Sequence, residues 1–167
     1  MIRIVPLALL VVLVVHCTVL AWHFLPHTSD DGAIYARYVH WIANEGRLVW
    51  NSDLIVEGFS SPLWLTVLSA AEVLGLPFVL STKGAGFVCG SLTLCVLFLS
   101  VKENHGSWWA LVSLLCASTN MGFFYWMGSG LETSVWALLW VWTFVNWGSK
   151  EGAVGLALLG VARPEGP

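Results

Sequence analysis

Apolar runs about as long as a bilayer crossing follow one another through most of this sequence, separated by short polar breaks. They fall at residues 4–25, from 62 to about 76 or 80, and at about 84–101, 108–127 and 131–147. A further run starts at residue 154 and meets Arg163 and Pro164 after roughly ten residues, half of the roughly 20 needed to cross a hydrocarbon core. In lipid a backbone must satisfy its own polar groups, so such runs become helices. The pattern predicts an all-α integral membrane fold, a multi-pass helical bundle of about five to six transmembrane helices. Composition agrees: 10% of residues are charged and 57% hydrophobic, against about 25% charged in soluble domains. The net charge of −3 and the lack of basic runs exclude nucleic acid as a partner. Membrane lipids are the expected surroundings, and eleven Trp suit the bilayer interface. Cys17, Cys89, Cys95 and Cys116 all lie in apolar stretches, where a thiol acts as a small hydrophobe.

Residues 4–25 read as a retained first span, since no small-residue cleavage pattern follows the apolar run. Arg3 ahead of it and acidic residues after it place the N-terminus in the cytoplasm and the next loop outside the cell membrane. That outer loop, 27–61, holds a predicted amphipathic helix at 33–45 stopped by Gly46. Its Tyr and Trp content suggests a juxtamembrane element lying in the interface. Residues 48–56 read as a partly strand-like connection, and Ser61 with Pro62 as the N-cap and first position of the next helix. The remaining spans occupy 62–162. The short final run predicts that the chain is the N-terminal part of a larger transmembrane domain, inactive by itself.

Asp30 and Asp31 are the sharpest candidates for chemistry. Adjacent carboxylates raise one another's pKa toward the range of a general base, and either could hold a divalent cation. The competing reading is a capping box from Thr28 to Asp31, with acids favoured by the helix dipole. Glu132 lies close to hydrocarbon, where an acid is costly and functional by default, yet Ser129 and Glu132 also have capping-box spacing. Arg163 and Glu57 come next, Arg being suited to a phosphate; Arg163 could equally anchor a helix end. Arg37 could serve a phosphate or mark the wet face of its helix. His23 and His27 are spaced to share a metal with Asp30 or Asp31, but Pro26 stands between them. His16 reads as a buried helix residue, and Trp136, Trp140 and Trp147 as packing or lipid-facing groups.

Five segments taken together resemble a known group. They are DDGAIYARY at 30–38, GRLVWN at 46–51, VEGFSSPLW at 56–64, GLET at 130–133 and ARPEG at 162–166. Their order resembles the polytopic class C glycosyltransferases, most closely the arabinofuranosyltransferase-like branch. The resemblance implies a catalytic acid in the first outer loop, a polyprenyl-phosphate-linked sugar as donor, and an extracytoplasmic glycan or lipid as acceptor. It makes Asp30 or Asp31 the base, and Arg37, Glu57, Glu132 and Arg163 the lining of the donor and phosphate site. A divalent cation is compatible with it and not required. Strict alternation of five spans, however, puts Glu132 on the side opposite Asp30 and Asp31, unless the region of Gly75, Pro77 and Lys83 is a hairpin. The alternative reading is a polytopic transporter or lipid-binding membrane module.

Overall fold

The computed structural model describes residues 4–51 and 55–163. Among the described residues it is all-helical, with eight helices: α1 (Ile4–Phe24), α2 (Asp31–Glu45), α3 (Pro62–Val73), α4 (Phe78–His105), α5 (Ser107–Ser118), α6 (Met121–Gly128), α7 (Thr133–Val145) and α8 (Lys150–Ala162). Local chemistry sets many of the boundaries. Ser61 caps α3 by accepting from the Trp64 backbone N–H, with Pro62 in the first turn, and Gly46 ends α2 in the left-handed conformation. Asn120 and Ser149 cap α6 and α8 through their side chains. The connection after α2 contains no helix among its described residues. The predicted strand-like stretch 48–56 lies partly outside them, at 52–54.

The number of crossings is smaller than hydropathy predicts. Among the described residues two helices, α1 and α4, are long and apolar enough to span a membrane, and only 11% and 17% of their apolar windows are buried. The predicted span at 108–127 is not one helix. It breaks between α5 and α6 with a bend of 67°, where Ser118, Thr119 and Asn120 interrupt the apolar run. Counting that pair as one gives up to three spans. The expected spans at 62–76 and 131–147 are corrected to α3, of 12 residues, and α7, of 13. At 1.5 Å per residue these reach about 18 and 20 Å, short of a hydrocarbon core of about 30 Å.

Contacts at the helix ends show which of them lie together. The indole Nε1 of Trp64, at the start of α3, donates to the Gly130 carbonyl at 3.3 Å. A Cβ on Gly130 would touch Thr82 of α4 at 3.5 Å. So α3 leaves the neighbourhood of Gly130, and α4 begins by passing it again. Likewise Glu132, which precedes α7, is joined to Arg163, which follows α8, at 3.0 Å, so that hairpin starts and finishes at one end. α4 leads away from this end and the α5–α6 pair returns to it. The sequence places Glu132 opposite Asp30 and Asp31 only if α3 is counted as a crossing; the structure puts all three at the same end.

Two small cores hold this end together. Tyr35, Tyr38 and Val39 of α2 pack on Trp64, Leu65 and Leu68 of α3 and on Leu131, so the apolar face of α2 is covered by protein. Cys17 and Ala21 of α1 pack on Phe124 and Met127 of α6. There Gly128 lies so close to α1 that a Cβ would stand 2.6 Å from the Phe24 carbonyl oxygen.

Candidate functional site

The most concentrated polar chemistry in the molecule gathers where α2, α7 and α8 meet. Glu132 is 2% exposed, and one of its oxygens, Oε1, collects the hydrogen bonds. Arg163 donates to it from Nε at 3.1 Å and from Nη2 at 3.0 Å, and Ser60 Oγ donates at 3.3 Å. The other oxygen, Oε2, is buried with no hydrogen-bond partner. Burying a carboxylate is costly, and pairing with a cation offsets that cost. The guanidinium also lies over the Trp136 ring, 5.6 Å from its centroid, a favourable cation–π placement.

A directed chain of hydroxyls extends the network to α2. Ser60 has a single hydroxyl hydrogen, and the carboxylate takes it, since an ionised carboxylate only accepts. The 3.2 Å contact between Tyr35 Oη and Ser60 Oγ is therefore donated by the tyrosine. Tyr35 Oη in turn accepts from the Ser61 backbone N–H at 3.0 Å. One turn further along α2, Tyr38 Oη accepts from the Gly58 backbone N–H at 3.0 Å and donates to the Val56 carbonyl. The two tyrosines thus pin the loop that carries Ser60.

Burial, and secondarily the negative charge of Glu132, push the Tyr35 phenol above its ordinary range. A raised acid pKa means the fold favours the protonated phenol. The penalty is absent while both states are protonated and grows as pH rises past the unfolded value of about 10. Stability should therefore fall more steeply above about pH 10 in the parent than in Tyr35→Phe. Thermal unfolding in detergent across that range checks it, and parallel profiles would contradict it.

Asp31, Tyr35, Ser60, Glu132 and Arg163, with Ile34, Gly58 and Leu131, line one cavity of about 230 Å³. That is below the 300–1,000 Å³ typical of drug-sized sites and suits one small polar ring or headgroup. Of the residues singled out from sequence, the structure brings Asp31, Glu132 and Arg163 together here. Asp30 is exposed and does not line the cavity. Glu57 is exposed beside Gly58 and does not line it either. Arg37 turns to the loop that follows α2, donating from Nε to the Trp50 carbonyl at 3.1 Å and from Nη2 to Asn51. No set of three or more His, Cys, Asp or Glu side chains converges on a metal-sized site among the described residues. His27 instead packs against Phe24 and Tyr125.

Neither capping box forms. Asp30 occupies the N-cap of α2 with helical dihedrals and no side-chain cap. Glu132 occupies that of α7 without capping it, its side chain being engaged by Arg163. Sequence reasoning missed Tyr35, Ser60 and Lys83. Lys83, in the second turn of α4, donates from Nζ to the carbonyls of Leu25 at 2.7 Å and Gly128 at 2.8 Å, and to that of His27. Its signal was available, because a cation near the start of an apolar helix requires partners. Part of the ARPEG segment, 164–166, lies outside the described residues.

No protein family model, curated protein or solved structure matches this chain.

Proposed function

We propose that the protein is a membrane glycosyltransferase that moves a sugar from a polyprenyl-phosphate donor to an extracytoplasmic glycan or lipid acceptor. Support comes from one observation above the others: Asp31 of the loop between the first two apolar helices shares a small polar cavity with the buried Glu132–Arg163 pair. In this reading Asp31 takes the proton of the acceptor hydroxyl as its oxygen bonds to the anomeric carbon. The bond from that carbon to the phosphate oxygen breaks, and the lipid phosphate leaves with the bonding electron pair. Glu132, Ser60 and Tyr35 shape the polar wall, and Arg163 supplies the positive charge nearest the departing phosphate. Arabinofuranose is the sugar implied by the ordered motifs, and the cell membrane the expected location, with the first loop outside. A divalent cation at Asp30 or Asp31 is compatible with this chemistry.

The test is transfer itself. Membranes from cells expressing the protein from its full reading frame should move radiolabelled pentose from a polyprenyl-phosphate donor into glycan or lipid. Absence of labelled product with both pentose and hexose donors would overturn the reading. The break between α5 and α6 favours a second reading, because discontinuous helices line transporter sites. That alternative requires solute uptake into proteoliposomes containing the purified protein, and a donor-dependent transfer without uptake rules it out.

A further inference from the structure

We infer that Lys83 is a positioning residue, a clasp between two helix ends that sets Asp31 against Glu132; the inference rests on the glycosyltransferase reading for its catalytic consequence. An ammonium group has three hydrogens to donate, and each meets a main-chain carbonyl: Leu25 at 2.7 Å, Gly128 at 2.8 Å, and His27. None of these acceptors is a carboxylate, so the lysine is not a counter-ion. Gly128 is the last residue of α6 and Leu25 directly follows α1. Both carbonyls lie at the negative ends of their helices, where a cation is favoured and terminal acceptors need donors. One side chain on α4 therefore caps two other helices at once.

The clasp is placed to matter. His27 stands four residues before Asp31, and Gly128 four before Glu132. The segments they lead also touch directly, the Ser29 N–H donating to the Ser129 carbonyl at 3.3 Å. Gly128 admits no Cβ against the Phe24 carbonyl, so the approach is as close as a side-chain-free residue permits. Without the ammonium, the half-buried carbonyls of Leu25 and Gly128 and the exposed carbonyl of His27 lose their donor, and the two segments lose the bonds that fix their separation.

The experiment has a structural arm and a kinetic arm, both in protein lacking Cys17, Cys89, Cys95 and Cys116. In the first, Ser29→Cys and Ser129→Cys are combined and oxidised in membranes with copper phenanthroline. Neighbouring backbones should cross-link fast with Lys83 present and at least tenfold more slowly with Lys83→Met. An unchanged cross-linking rate overturns the clasp. In the second, sugar transfer by Lys83→Met should fall about a hundredfold in kcat, the size expected for a misplacement of about 1 Å, with the donor KM changed less than twofold. Lys83→Cys alkylated with bromoethylamine, which rebuilds an ammonium at nearly the same reach, should recover most of kcat. Slow cross-linking with undiminished kcat overturns the positioning role, as does failure of the rebuilt ammonium to restore it. If the parent transfers no sugar, the glycosyltransferase reading falls and takes the positioning role with it, while the cross-linking rate alone decides the clasp.

Discussion

Replacing Asp31 by Asn should lower sugar transfer by about 10²- to 10⁴-fold, the usual contribution of a positioned general base, while Asp30→Asn retains far more activity. The two residues are chemically alike and adjacent, so the sequence gives no ground for choosing between them. The fold does. Asp31 is the first residue of α2 and lines the cavity shared with Glu132 and Arg163, whereas Asp30 does not. A carboxylate oxygen at this position can accept the acceptor hydroxyl's proton, and the isosteric amide removes that capacity without changing shape. Because Asp31 is exposed, the substitution should leave folding intact, and equal amounts of the two variants can be compared by initial rates at saturating donor. A larger loss in Asp30→Asn reverses the assignment, and an equal loss in both shows that neither acts alone.

The second large effect is on stability. Arg163→Ala strands a carboxylate whose side chain is 3% exposed. Removing one partner of a buried pair costs about 3–5 kcal/mol. The lower end applies here, since the Arg163 side chain is itself 31% exposed and water screens part of the attraction. The cost comes from the orphaned charge more than from the lost attraction, so the double variant Glu132→Gln with Arg163→Ala should recover most of it. Thermal unfolding in a mild detergent separates the cases. A single variant as stable as the parent, or a double variant no better than the single, would show that the pair does not hold the α7–α8 hairpin in place.

What could be read from the sequence was local. Ser61 with Pro62 and Gly46 act at the helix boundaries assigned to them, because a cap depends on atoms within one turn. The apolar helices were legible for the same reason, since hydropathy measures the solvent a segment prefers. It does not measure direction. The residues of α3 are as apolar as those of a crossing, but the positive φ of Gly75 and Pro77 end the helix after 12 residues, and packing on α2 brings the chain back past Gly130. Counting α3 as a crossing separates Glu132 from Asp30 and Asp31, whereas the hairpin alternative at Gly75, Pro77 and Lys83 agrees with the cavity that Asp31 and Glu132 share.

The candidate site was legible as a set of residues and not as an arrangement. Glu132 and Arg163 were each singled out, but their pairing joins positions 31 residues apart. Both capping-box patterns were present in sequence and unused in the fold: at Glu132 the demand of a buried carboxylate for a cation prevails over one backbone N–H. In sequence Tyr35 is one more aromatic residue of the amphipathic helix at 33–45. Its ring belongs to the core between α2 and α3, and its hydroxyl emerges on the polar side to meet Ser60.

The hairpin of α7 and α8 has a consequence for how such a molecule could fit membranes of different thickness. Its two ends are fastened together by Glu132 and Arg163, while its turn, at Asn146 to Ser149, lies at the distal tip. Matched turns of helix could be added to or removed from both arms at that tip, by about 5.4 Å a step, without displacing either charged residue. A membrane-embedded segment whose length does not suit the bilayer costs a modest energy per ångström, and a change in the length of this hairpin would leave the charged pair in place. The depth to which the protein reaches into the bilayer and the geometry of its polar cavity are in that respect separately adjustable.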